Sequence, residues 1–213
     1  SIMDERSFAT RARDLHMGYT KLEELNKDLE AILAQTIECS SLIGGFKWLF
    51  TYVRGNAGYH RWNGLKYFLF EFEEHIHQQD YSNDFAIISW DKFFETSIEH
   101  IMPRNYQDYW SDTMSNYLSQ KSFSEEERYM AIKTLLNSLG NLTIIRGNKN
   151  SSLGNNPWKT KVQAYANGSF SERQISSKIE WHPWSAESIL NRGKLLLKYL
   201  LDYLGVVIIA EEI

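Results

Sequence analysis

Ser97-Ile98-Glu99-His100-Ile101-Met102-Pro103-Arg104-Asn105 is the stretch on which the fold turns, and it is answered downstream by Leu139-Gly140-Asn141-Leu142-Thr143-Ile144-Ile145 and then by Asn150. Pro103 has no amide hydrogen to give a sheet ladder, so a strand carrying Glu99 and His100 must end and the chain must bend there. In the second run Gly140 stops a helix, and the residues from Asn141 to Arg146 are β-branched enough to form another strand, which Gly147 then turns. The region reads as strand, long excursion, strand, helix. Its residue types suit phosphodiester hydrolysis. Histidine, with an ordinary pKa near ~6.5, is substantially neutral at working pH and can activate a water. Carboxylate and carboxamide oxygens, here Glu99 and Asn150, are ligands for a hard divalent cation that neutralises phosphate and leaving oxygen. Alternation along a regular strand would point Glu99 and His100 to opposite faces. A base and a metal ligand can, however, approach one phosphate from different sides.

Working outward, the 213 residues are 43% hydrophobic and 14% aromatic, enough for one large domain or two small ones with real cores. A formal charge of -4 and a pI near 5.9 argue against a uniformly basic, nucleic-acid-coating surface. Any nucleic-acid contact must be local. Between Asn141 and Lys178 the chain supplies a candidate: Arg146, Lys149, Lys159, Lys161, Arg173 and Lys178 against Glu172 alone. The single cysteine, Cys39, excludes an intramolecular disulfide and a cysteine-based zinc cluster and fits a reducing compartment. With no basic-then-apolar leader and no apolar run near the ~20 residues of a membrane span, a soluble, cytoplasmic protein without membrane contact is expected. The charged helical pattern that follows Ser1-Ile2-Met3 almost at once suggests a missing N-terminal partner domain.

Helical spacing of Leu15, Leu22, Leu25, Leu29, Ile32 and Leu33 predicts an amphipathic helix from Asp4 to about Glu38. A second runs through Ile43 to Val53, and a third holds Leu65, Phe68, Leu69, Phe72 and Ile76. The third carries Glu71, Glu73, Glu74, His75 and His77, which invites a metal reading; a solvated helix face is the preferred one. Phe85 to Ile88 is a strand or a buried connector. Ser124 and Glu127 form a capping box for a helix whose buried stripe is Ile132, Leu135, Leu136 and Leu139. Pro157 opens another helix, through Trp158, Val162 and Tyr165. After Asn167-Gly168 the serine-rich segment to Ser177 is a loop or short helix, and Trp181-His182-Pro183-Trp184 an aromatic corner. Ser185 caps a last helix with Leu190, Leu197, Leu201 and Leu204 on one face, ended by Gly205. The apolar tail at Val206 to Ala210 is expected to be buried. Trp110, Trp158, Trp181 and Trp184 read as packing and His182 as structural, while His16 and His60 carry no signal.

At the motif residues a resemblance becomes specific. Glu-His-Ile-Met-Pro, then Leu-Gly-Asn-Leu-Thr, then Asn150-Ser151-Ser152-Leu153-Gly154-Asn155, then Trp158 and Lys161 before Tyr165, resembles the HNH nuclease domain at the C-terminal end of GmrSD-type restriction proteins. That family includes the SspE and BrxU defence proteins. The likeness is strong from Ser97 to Tyr165 and looser at Leu65 to Leu69 and at Trp184 to Arg192.

The resemblance implies a mostly α-helical α+β fold with a ββα-metal motif embedded among packed helices. It divides into a helical region at 1–92, a nuclease core at 93–168 and a completing loop and helix at 169–213. It implies His100 as general base on the first strand, Glu99 as metal ligand, and Asn141 as the asparagine that ties down the loop between the strands. It implies Asn150 as the second metal ligand, with Asn148 the alternative, and a divalent metal, Mg2+ by preference. Lys161, with Arg146, Lys159 and Lys149, would face phosphate. The implied activity is metal-dependent endonuclease cleavage of phage or plasmid DNA, with sensing and nucleotide use in an N-terminal domain. Two alternatives stay open: a degenerate helical module for DNA docking or protein interaction, and an HNH nuclease acting on RNA.

Overall fold

A computed structural model describes residues 13–27, 57–79, 88–119 and 122–203. The chain divides into two compact units, Ser1–Tyr52 and Val53–Ile213. In the first, the described residues are helical at 13–16 and 22–27, interrupted by a turn in which Gly18 takes φ 72. The continuous helix expected from Asp4 to Glu38 is therefore broken here, because a positive φ ends the helical hydrogen-bond ladder. Leu29, Ile32 and Leu33, the Ile43 to Val53 helix, Phe85 to Ile87, Gly205 and the apolar tail lie outside the described residues.

The second unit is mostly α-helical with one two-stranded sheet, as expected. Strand β1 (Thr96–His100) pairs antiparallel with β2 (Leu142–Arg146), in a register that sets Glu99 opposite Thr143 and His100 opposite Leu142. Helix α1 (Leu65–Gln79) precedes the hairpin. The excursion between the strands holds α2 (Ser111–Ser119) and α3 (Glu125–Leu136). After β2 come α4 (Gly147–Leu153), α5 (Trp158–Tyr165), α6 (Phe170–Ser177) and α7 (Ala186–Tyr203). Because α4 packs on both β1 and β2, the hairpin and its next helix form a strand–strand–helix unit. β2 is buried from Leu142 to Ile145, which explains a sequence run with no polar alternation.

Local chemistry sets the helix starts. Ser124 Oγ accepts from Glu127 N–H while the Glu127 carboxylate accepts from Ser124 N–H, the capping box read from sequence. At the start of α6 the Glu172 carboxylate accepts from Ser169 N–H at 2.9 Å, and the serine-rich segment is a helix. Ser185 and Ser188 exchange equivalent bonds at the start of α7. In α7 the buried face is Ile189, Arg192, Leu196 and Leu200, whereas Leu190 is 53% exposed. The expected leucine stripe was thus one residue out of phase: a helix with leucines on several faces does not declare which one meets the core.

That face matters because α7 reaches the turn before β2. Gly140 approaches so closely that a Cβ there would fall 1.8 Å from the Ile189 carbonyl oxygen and 2.6 Å from Gly193 N. Fully buried Arg192 donates from one Nη to the carbonyls of Gly140 and Leu142, each at 2.8 Å. The core between these layers is aromatic. Trp110, Trp181 and Trp184 are buried, and Trp158 stacks on Trp184 with centroids 5.5 Å apart, so the tryptophans pack as expected. A further correction falls on α1. Glu73 is buried among Leu65, Phe68, Leu69 and Phe72, and its two oxygens accept the backbone N–H groups of Phe170 and Ser171. Within the run at Glu71 to His77, Glu73 is therefore not part of a solvated face, while Glu71, Glu74, His75 and His77 remain partly exposed. The turn of Glu73 toward the core places a carboxylate on the N-terminus of α6, where unpaired amides and the helix dipole favour negative charge.

Candidate functional site

β1 ends at His100, and the bend after it is held by Asn141. The Asn141 carboxamide oxygen accepts from Met102 N–H at 2.8 Å and from the Trp184 indole at 3.3 Å. Its nitrogen donates to the carbonyls of Met102 at 2.9 Å and Leu136 at 2.8 Å. With backbone Asn141 O accepting from Ile101 N–H as well, one buried asparagine closes both ends of the excursion. No apolar residue could satisfy those groups, and leaving them unmade in the core would cost several kcal/mol in all, at about 1–3 kcal/mol each.

Glu99 and His100 then diverge, as strand alternation requires. His100, 8% exposed, sets Nε2 3.1 Å from Asn137 Oδ1. A carboxamide oxygen there assigns the proton to Nε2 and leaves the lone pair on Nδ1. Burial lowers the His100 pKa to about 4; the Asn137 bond opposes this, while the charges of His60, Arg104 and Lys161 add to it. The ring is neutral at ordinary pH. Against it lies His60, centroid to centroid 4.6 Å, at 43°.

On the other face Glu99 is 3% exposed. Its Oε1 accepts from Lys161 Nζ at 2.6 Å and from Tyr165 OH at 3.1 Å. Lys161 also donates to the His100 carbonyl at 3.0 Å and has no exposed surface. Burial pushes the Glu99 carboxyl up and the Lys161 ammonium down, each toward its neutral form, and their mutual attraction opposes both shifts. Burial and the neighbouring Glu99 also hold the Tyr165 phenol well above its usual range.

The remaining expected residues are placed as follows. Asn150, in the first turn of α4, donates its amide hydrogens to Ser97 Oγ at 2.8 Å and the Ile98 carbonyl at 3.0 Å, beside the strand face that Glu99 shares. Asn148 is exposed, and its side chain accepts from Lys149 N–H. Arg146 and Lys159 are on the surface. Lys149 bridges to Glu172 and to the Ala164 carbonyl, and Lys161 points inward, so neither of these lysines presents a free ammonium to a phosphate. Among the described residues no group of three or more His, Cys, Asp or Glu side chains could hold a metal. The hairpin thus joins Glu99 to Lys161 and sets Asn150 on the same strand face, while His100 is joined to Asn137 and His60. Sequence reading missed Asn137 and His60, whose partners lie tens of residues away with no local pattern between them.

The family described as GmrSD restriction endonucleases, C-terminal domain, matches residues 49–199. The chain belongs to this family. The match is longer than the Ser97 to Tyr165 stretch and takes in α1, the His60 turn and most of α7. Comparison with curated proteins and with solved structures returned no match. Membership in the GmrSD C-terminal family makes this a restriction endonuclease module. Among the described residues no helix is long and apolar enough to cross a membrane.

Proposed function

We propose that the second unit hydrolyses DNA phosphodiesters in a restriction or anti-phage system of the cytoplasm, with His100 as general base. The observation that carries the proposal is the state of His100: buried, neutral, fixed through Nε2 by Asn137, with Nδ1 left to take a proton. A base must be unprotonated and oriented before it can act, and this ring meets both conditions. Asn141 supports the reading as a positioning residue, since it holds the bend that follows His100.

A divalent cation, Mg2+ by preference, is the expected cofactor. The donor chemistry fits: Mg2+ is held by one or two hard oxygen ligands with water and phosphate completing its shell. Glu99 and Asn150 offer a carboxylate and a carboxamide oxygen on the same strand face. Bound there, the ion would supply charge neutralisation at the phosphate and the leaving oxygen. Lys161 already neutralises Glu99 and would have to share it. Arg146 and Lys159 remain for contacts to neighbouring phosphates. A sensor or nucleotide-using region N-terminal to this module would choose the target.

Cleavage of supercoiled plasmid by the full chain with Mg2+, compared with His100→Ala and with EDTA, tests the proposal. Loss of cleavage in both is expected. Full, EDTA-sensitive cleavage by His100→Ala would sink it, and preferential cleavage of structured RNA over DNA would redirect it.

A further inference from the structure

The turn at Ala57-Gly58-Tyr59-His60 has a costly backbone. Ala57 takes φ 53 and Gly58 φ 119, the first in a region that residues with a Cβ rarely visit. A Cβ on Gly58 would fall 2.5 Å from the Asn137 carbonyl oxygen, so the turn lies directly against Asn137. That carbonyl accepts Tyr59 N–H at 2.7 Å. The side chain of the same residue holds His100 Nε2. Asn137, capping the C-terminus of α3, thereby fixes both histidines: one through its backbone and the turn, the other through its carboxamide.

The rings meet at a tilt that leaves His60 half-buried above the buried His100. Neither ring nitrogen of His60 has a hydrogen-bond partner among the described residues. Arg104, just after the bend, is exposed and without a carboxylate partner among them. Burial lowers the His60 pKa, and the positive charges of Arg104 and Arg61 lower it further. If packing over His100 were its whole task, an apolar ring would serve without the desolvation of two nitrogens. A structural ion pair would need an anion, and among the described residues no carboxylate pairs with His60 or Arg104. Two ring nitrogens against a neutral base, and a guanidinium whose charge reaches both rings, none with a partner among the described residues, match what a phosphate monoanion requires: a directed donor and a compensating charge.

We propose that His60 and Arg104 hold the scissile phosphodiester over His100, His60 donating a ring N–H to a non-bridging oxygen and Arg104 supplying the countercharge. The proposal rests on the nuclease reading above. It makes His60 a second catalytic residue by contact with substrate, and Asn137 the positioning residue that keeps donor and base in register. No proton leaves His60 in this role.

The test uses the full chain and the variants His60→Phe, His60→Gln and Arg104→Ala, with His100→Ala as the control for cleavage. Phenylalanine keeps a ring against His100 and removes only the nitrogens. Its kcat is expected to fall about 100- to 1,000-fold, the scale for losing one oriented donor, with the melting temperature held. Glutamine, which restores an N–H, should recover part of that rate. Arg104→Ala should act mainly on KM and lower the salt slope of duplex binding by about 1. If wild type cleaves, His100→Ala does not, and His60→Phe matches wild type, the inference is overturned while the nuclease reading stands. If wild type binds duplex but cuts neither DNA nor RNA, the nuclease reading fails, and binding alone decides. Equal affinities for wild type, His60→Phe and Arg104→Ala, or no binding at all, would then overturn the phosphate contact.

Discussion

On one face of β1 the His100 ring meets a carboxamide, a second histidine and arginine charge; on the other the Glu99 carboxylate meets an ammonium and a phenol. The two side chains are sequence neighbours, yet their surroundings obey different rules. The carboxylate face is internally neutralised, each charge answered by another within the protein. The histidine face is left with the Arg104 charge and the His60 ring nitrogens, which have no partner among the described residues. A site that must accept an anion resembles the second, and a site that must first hold a divalent cation has to disturb the first.

The comparison breaks most sharply at His100. His100→Ala is expected to lower the cleavage rate by about 10²- to 10⁴-fold, the range for a general base, in protein that still folds, though with a lower melting temperature from the lost ring. On the opposite face Lys161→Met should do the reverse. Removing one partner of a buried pair leaves an uncompensated carboxylate, at about 3–5 kcal/mol in urea unfolding, and adding Glu99→Gln should restore much of it. A Lys161→Met protein as stable as wild type would mean that Glu99 faces water or a metal instead.

Acid tests the histidine face more gently. His100 has a folded pKa of about 4 against about 6.5 unfolded, so between these values the unfolded chain binds more protons. Stability from this group is complete above about pH 6.5 and is lost as pH falls toward 4, on the order of 2 kcal/mol by pH 5. His60, also lowered, acts in the same direction. Glu73 and Glu99, raised by burial, act in the opposite one. The fall in melting temperature from pH 7 to pH 5, in metal-free buffer, should therefore shrink in His100→Phe relative to wild type. Smallest of all, Arg146→Ala or Lys159→Ala should weaken duplex binding only a few-fold and equally across sequences, each lowering the salt slope by about 1. No change in either would remove this surface from the phosphate track.

What could be read from sequence was whatever is local. The hairpin strands, the Ser124 capping box and the excursion between the strands follow from β-branching, proline and glycine placed a few residues apart. Asn141 was legible as a clamp through resemblance, and its bonds to residues 102 and 136 give that role a geometry. The environment of each side chain was not legible. Lys161 looked like one more cation in a basic segment, and only the packing of α5 on β1 turns it inward. Glu73 sat in a run of charges whose helical phase places one member in the core. Asn137 and His60 depend on chain crossings tens of residues long, for which periodicity carries no information.

The approach of α7 to Gly140 has a consequence for the order in which such an enzyme becomes dangerous. Every candidate reacting group lies at or before Lys161, but the turn that seats Asn141 is packed by Ile189, Arg192 and Gly193. A nascent chain that has exposed His100, Asn150 and Lys161 still lacks the helix that shapes the bend between them. Fragments ending before Ile189 are accordingly expected to be inert on plasmid, so a half-translated toxic activity would be harmless to the cell that is making it.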